Sequence, residues 1–196
     1  NFRLAADLAL KGKLGQVKEV HAGILQLRDY LDSLPAQAEP DPSIINWDKW
    51  LGPAPSIPFN EAYCRGRWRN HEGLYSAWRL PEWGSHTIDL CQWAADADGT
   101  TPIEFEAASN SLLHAKYANG IKLVMRLSSG EGVGEWIKGL GTCPVRFVGD
   151  DGWVEAGDHL GLSVSRPELL KGELRSQIRG TDPLLHVRNF LDCVKS

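Results

Sequence analysis

One stretch of the 196-residue chain, LPEWGSHTIDLCQW at positions 80–93, sets Glu82, His86 and Asp89 at spacings of four and three, with Trp83 and Trp93 beside them. If the stretch is helical, all three polar side chains fall on one face, because positions i, i+4 and i+7 align along a helix. An imidazole titrates near neutral pH and can exchange a proton with a reacting group. A carboxylate beside it can fix its tautomer and stabilise its cationic form. His86 is therefore a candidate acid/base and Glu82 or Asp89 its orienting partner. Two plainer readings compete: a buried, hydrogen-bonded structural histidine, and a solvated polar face. The three residues could also ligate a divalent metal, but one imidazole with two carboxylates selects none, and no metal is assigned. Ser76 and Ser85 are close in sequence, yet neither sits in the G-x-S-x-G elbow that a serine triad uses.

The same half of the chain holds Trp47, Trp50, Trp68, Trp78, Trp83 and Trp93. Their faces could line a sugar or cyclitol pocket, with core packing the alternative for about half of them. The run Arg65-Gly66-Arg67-Trp68-Arg69 supplies guanidinium groups that could clamp an anionic or hydroxyl-rich substrate, or be surface charge. Arg65, Arg67, Trp68 and Trp83 are thus the candidate substrate contacts. Two glycine clusters, 130–134 and 139–141, have neither G-x-G-x-x-G nor G-x-x-x-x-G-K-[ST] spacing, so they are read as loops and no cofactor-binding residue is assigned.

What must position these residues is an ordinary globular chain, 42% hydrophobic and 23% charged. A net charge of -4 disfavours nucleic acid as a partner, and no apolar run is long enough for a membrane span. Cys64, Cys91, Cys143 and Cys193 show no C-x-x-C pair and read as free thiols, which leaves the compartment, cytoplasm or periplasm, open. Phe2, Ala5, Ala6, Ala9 and Leu10 have helical spacing, with Lys11 and Lys13 in the last turn and Gly15 as the cap. A strand is expected over Val17–Leu25, followed by a Pro-rich, aromatic excursion reaching Asn60. LLHAKYANGIKLVMRL predicts a hairpin with a type I′ turn at Asn119-Gly120, VRFVGDDGWVEA a second hairpin, and Leu160–Ser165 a further short strand. Asp182-Pro183 opens a last helix whose apolar stripe is Leu184, Val187, Phe190, Leu191 and Val194. A start inside one helix and an uncapped stop in another are what a piece of a larger protein would show. The expected fold is α+β, an open, mainly antiparallel β-sheet covered by helices on one face, whose uncovered face is apolar and pairs with a second copy.

Several of these segments resemble the C-terminal substrate domain of the Gfo/Idh/MocA oxidoreductases, in the group common among planctomycete-type bacteria. KGKLGQVKEVHAG is similar to the handover from nucleotide domain to sheet, and NWDKWLGPAPSIPFN to a W-x-x-W-L-G-P-A-P segment. EWGSHTIDLCQWA resembles D-x-G-x-H-x-x-D-x-x-x-W, with Glu82 at the usual Asp position; FVGDDGWVEAG and HVRNFLDCVKS resemble a later strand and helix. The resemblance implies that residues 1–16 are the last helix of a nucleotide-binding domain and 17–196 a substrate-binding and oligomerisation domain. It also implies NAD or NADP held mainly by an N-terminal domain this chain lacks, a fragment inactive alone, and a homo-oligomer formed through the sheet face. His86 matches the histidine that sits beside the nicotinamide in the family, where the substrate is a sugar or polyol oxidised at a secondary hydroxyl. The alternatives are a non-catalytic carbohydrate-binding or oligomerisation module, and a relative that uses NAD for elimination or hydrolysis.

Overall fold

The helical spacing at the start of the chain forms α1 (Phe2–Leu10) in the computed structural model, which describes residues 1–24, 33–71, 79–127, 139–158, 161–173 and 183–196. Ala5, Ala6, Leu8 and Ala9 are its buried face, whereas Leu10 is exposed. Leu8 rather than Leu10 completes the stripe because it lies three residues from Ala5, on the same side of the helix. The helix closes at Gly12 (φ 69°), where Gly12 N donates to Ala9 O and Lys13 N to Leu8 O at 3.1 and 3.0 Å. This is the glycine-closed end expected of a helix, three residues before the position read from sequence. Gly15 has another duty: a Cβ there would lie 2.8 Å from Asp151 Oδ2, so its absence lets the second hairpin's turn dock against the α1–β1 loop.

The remaining elements are β1 (Val17–Ile24), α2 (Trp47–Leu51), α3 (Glu61–Cys64), a 3-10 turn (Arg67–Asn70), α4 (Arg79–Ala94), β2 (Glu104–Ser109), β3 (Leu112–Lys116), β4 (Lys122–Leu127), β5 (Val145–Gly149), β6 (Gly152–Ala156), β7 (Leu162–Val164), a second 3-10 turn (Pro167–Leu170) and α5 (Pro183–Lys195). Among the described residues seven strands form one sheet in the order β2-β3-β4-β1-β5-β6-β7. Every neighbouring pair is antiparallel except β1–β4, which is parallel. The fold is therefore α+β with a mainly antiparallel open sheet.

Both predicted hairpins form, and one differs in its turn. Between β3 and β4, Gly120 N donates to Tyr117 O (2.9 Å) and Tyr117 N to Ile121 O (3.0 Å), with Gly120 at φ 88°. Among the described non-glycine residues only Asp96 has a positive φ, so the turn is the three-residue kind with one left-handed glycine, not type I′. Asn119 contributes through its side chain, which donates to Ala95 O and accepts from Ile121 N. The Asp150-Asp151 turn joins β5 to β6 as read, and Leu160 of the last predicted strand lies outside the described residues.

Alternation along each strand divides the sheet into two unlike faces. Val20, Ala22, Ile24, Leu123, Met125, Phe147 and Val154 face α1 and α4 and form the main core. On the opposite face the register places Glu104, His114 and Lys116 near Lys122 and Arg126, and Glu19 and His21 near Arg146 and Glu155. An apolar face is the expectation here; the face is mixed instead, with Glu, His, Lys and Arg at many alternate positions of β1 to β6 and Leu112, Val124, Val148 and Trp153 among them. The stripe on α5 forms as predicted, but all five of its apolar residues are exposed. The four cysteines are free. Among the described residues no helix is long and apolar enough to cross a membrane.

Candidate functional site

Small residues decide which way α4 turns its polar face. Gly84, Thr87, Cys91 and Ala94 are buried at spacings of three, four and three, and a Cβ on Gly84 would sit 3.4 Å from Ile24 Cδ1. The helix thus lies close on β1 along that stripe, and the positions between point away. His86 and Asp89 are exposed and Glu82 is half-buried in the first turn. The Trp83 and His86 rings are tilted at 56° with centroids 5.8 Å apart. Among the described residues no hydrogen bond or ion pair joins His86 to Glu82 or Asp89. Trp83 packs its ring on the main core, and its buried Nε1 has no hydrogen-bond partner among the described residues. The buried-histidine alternative does not hold for His86, since the side chain is exposed.

The Arg-Trp-Arg contacts stand on a second hydrophobic cluster built from the Pro-rich excursion. Trp47, Leu51, Phe59 and Tyr63 are buried there, with Trp50 and Trp68 packed against them. Trp47 stacks on Trp50 at 4.6 Å, and its Nε1 donates to Ile57 O at 2.9 Å. Asn46 and Asn60 accept from Lys49 N and Ala62 N, capping α2 and α3, while Asn60 Nδ2 donates to Pro35 O at 2.8 Å. Trp47, Trp50 and Trp68 are therefore packing residues of this cluster; Trp78 lies outside the described residues, as does the 130–134 glycine cluster. Gly66 (φ 99°) turns the chain between Arg65 and Arg67. Arg65 pairs with Glu61 one helical turn earlier, whereas Arg67 is exposed with no ion-pair partner among the described residues.

A third group was missed in the sequence. His21 Nε2 donates to Glu19 Oε2 at 2.9 Å on β1. Across the ladder the Arg146 guanidinium lies 4.4 Å from the Trp153 ring centroid and 3.4 Å from Glu155 Oε1. Burial pushes the His21 imidazole pKa down, against the pull of Glu19, with Arg126 and Arg146 adding to the depression. Burial pushes the Glu155 carboxyl up, partly offset by Arg146. The signal existed: Arg146 and Glu155 are equidistant from the Asp150-Asp151 turn, so the predicted hairpin already sets them opposite each other. Among the described residues no group of three His, Cys, Asp or Glu side chains is placed to hold a metal ion.

Residues 24–137, more than half of the chain, match the Gfo/Idh/MocA profile described as "Oxidoreductase family, C-terminal alpha/beta domain". No curated protein matches the chain. Among solved structures, GenD2 from gentamicin A biosynthesis, in complex with NAD, is 17% identical over 79% of this chain with a TM-score of 0.43. The WlbA dehydrogenase from Chromobacterium violaceum, in complex with NADH and UDP-GlcNAcA, is 14% identical over 86% with a TM-score of 0.39. A Thermotoga maritima protein is 16% identical over 96% with a TM-score of 0.41. The chain spans 36%, 42% and 50% of the lengths of these three proteins.

Proposed function

The chain belongs to the Gfo/Idh/MocA oxidoreductase family, and we propose that it is the substrate-binding domain of a nicotinamide-dependent enzyme acting on a secondary hydroxyl of a sugar or polyol. The observation that carries this reading is the exposed His86 on the outward face of α4, inside the segment that matches the family. Oxidising a carbinol requires a base to take the hydroxyl proton as hydride leaves carbon. His86 is the base in this reading, and Trp83 beside it sets the ring's place on α4. Glu82 or Asp89 orients the imidazole; the absence of a hydrogen bond to either fits the general behaviour of catalytic contacts, which often tighten only with substrate in place. Arg67, unlike Arg65, is free to meet an anionic or hydroxyl-rich part of the substrate, with Trp68 beside it.

The chain's fit to a dinucleotide is partial. Among the described residues no strand passes through a glycine-rich turn into an α-helix, the arrangement that cradles a pyrophosphate. What these residues can offer NAD or NADP is the nicotinamide end, through His86; the rest of its binding falls to a nucleotide-binding domain, to which we assign residues 1–16 as the last helix. When bound, the nicotinamide supplies hydride acceptance or donation. Residues 17–196 then supply substrate position and proton transfer, and the sheet face pairs with a second copy.

The test is a screen of sugars and polyols with the full-length protein, following absorbance of the reduced cofactor. Net cofactor reduction with a C–OH substrate is the expected result. Turnover without net reduction would instead assign elimination or hydrolysis through transient oxidation, and no turnover with saturable sugar binding would assign a non-catalytic module.

A further inference from the structure

Three hydrogen bonds converge on one carboxylate at the end of the sheet where α4 begins. Asp158 Oδ1 accepts from Thr142 N (2.6 Å) and Cys143 N (3.0 Å), and Oδ2 accepts from Thr142 Oγ1 (2.6 Å). Burial pushes the Asp158 pKa up, yet the bonds from Thr142 and Cys143 hold it below its ordinary value, so the group is ionised at neutral pH and the bonds are charge-assisted. Beside this clasp Leu140 is buried against glycines: a Cβ on Gly157 would land on Leu140 O, and one on Gly161 would lie 2.9 Å from Leu140 Cδ2. The 139–141 glycine cluster serves this seating, since Gly141 takes φ 96° as the chain leaves Leu140 for Thr142. A Cβ on Gly139 would meet nothing within 4 Å among the described residues, so open space lies on that side of the loop.

The loop held in this way neighbours His86. Pro144 O accepts from Gly23 N at 2.8 Å, and the next residue of β1, Ile24, is the one on which Gly84 of α4 packs. Gly84 stands between Glu82 and His86 in the helix. At its other end α4 meets the β3–β4 turn, where Asn119 donates to Ala95 O, so only its first turns share the end of the sheet with residues 139–144 and 157–158.

We propose that residues 139–144 form a wall of the substrate site beside His86, and that Asp158 is the residue that positions this wall. The inference rests on the reading of His86 as part of a sugar or polyol site, and names an element of that site's specificity. Asp158 continues from β6 by two residues, so its clasp ties a loop with two glycines to the frame of the sheet. Glycine samples more backbone conformations than any other residue. Without the clasp the wall spreads over many positions, and a substrate that leans on it loses binding that is equal in the ground state and the transition state. Such a loss raises KM and leaves kcat nearly unchanged. The carboxylate is occupied by the loop, which makes Asp158 a positioning residue.

The experiment compares the full-length wild type with Asp158→Ala and Asp158→Asn, using as probe the sugar or polyol that the cofactor-coupled screen selects. Thermal midpoints, KM and kcat are measured, together with the calorimetric Kd of that sugar. Asp158→Ala should raise KM and Kd by about tenfold with kcat within about threefold, the pattern of lost uniform binding. Asp158→Asn should restore both constants, because its Oδ1 accepts from the two amides and its Nδ2 donates to Thr142 Oγ1. Should Asp158→Ala fold poorly, Thr142→Val removes one of the three bonds and should raise Kd in the same direction. A lowered midpoint with unchanged KM and Kd in Asp158→Ala overturns the inference and leaves the clasp a stabilising contact. A loss that Asn does not restore overturns it too. Failure of the site reading shows in the wild type alone: if that protein neither turns over nor binds any sugar or polyol, both readings fall.

Discussion

Replacing His86 by Asn in the full-length protein separates the proposed chemistry from scaffolding, and the surroundings of the side chain indicate how far each should move. The imidazole is exposed, and its ring contact is with Trp83 at 5.8 Å. Losing an aromatic contact of this kind at a surface costs at most about 0.5–1 kcal/mol. For a domain of this size 1 kcal/mol corresponds to roughly 2–4 °C, so the thermal midpoint should fall by no more than a few degrees. A positioned proton-transfer group contributes about 10²–10⁴ to turnover, so kcat should fall by that factor while the protein remains folded. The limb of the pH–rate profile that reports the base should vanish with it. Calorimetry and steady-state kinetics on the same preparation check both quantities. Turnover within a few-fold of the wild type would refute the assignment of His86, whatever happened to the midpoint.

Three other outcomes follow from contacts already described. Arg67→Ala should raise KM by about tenfold, the equivalent of roughly 1.4 kcal/mol, while Arg65→Ala should raise it less because Glu61 already holds that guanidinium; equal effects in initial-rate measurements would reject the distinction. Gly149→Ala would place a Cβ 2.2 Å from Leu14 O, a backbone atom that cannot step aside, and should destabilise the domain by about 1–3 kcal/mol or more; an unchanged melting curve would show the strand to be looser than its packing indicates. Because burial depresses the His21 pKa below its ordinary 6.5, the unfolded chain takes up a proton more readily than the fold, so this residue's contribution is complete above pH 6.5 and lost as pH falls toward the depressed value. Glu155, raised by burial, acts with the opposite sign above pH 4.5, so the comparison is the midpoint at pH 5 against pH 7.5 in wild type and His21→Gln; the variant should lose less on the acid side.

Local signals carried most of the fold. The two hairpins, α1 and α5 were legible because a turn glycine or a stripe of apolar residues acts over a few positions. The misreadings were also local in kind. Asn119-Gly120 gave the hairpin, but the pair fits equally into a turn where Asn helps through its side chain and only Gly takes positive φ. Gly15, after the lysines of the last turn, reads as the helix cap, yet Gly12 already closes the hydrogen-bonding pattern. The parallel pairing of β1 with β4 was not legible at all: nothing near Val17–Ile24 reports a partner at Lys122–Leu127, and long connections leave no local mark.

For the candidate site, spacing says which side chains share a face but nothing of their surroundings. Helical periodicity places Glu82, His86 and Asp89 together, yet whether that face is buried depends on the other stripe, where Gly84, Cys91 and Ala94 let α4 settle on Ile24. Glycine and alanine bury little surface, so they register weakly as a core face, although close approach selects for them. The charged sheet face raises the same difficulty in two dimensions. Most of the Glu, Lys and Arg residues on β1 to β6 stand next to apolar residues and read as outward positions. Only the cross-strand register turns that list into an acidic edge, a lysine pair and a partly buried His21–Arg146–Glu155 group. A face read one strand at a time looks solvated; assembled, it buries part of its charge, and that burial, more than any single neighbour, lowers the proton affinity of His21.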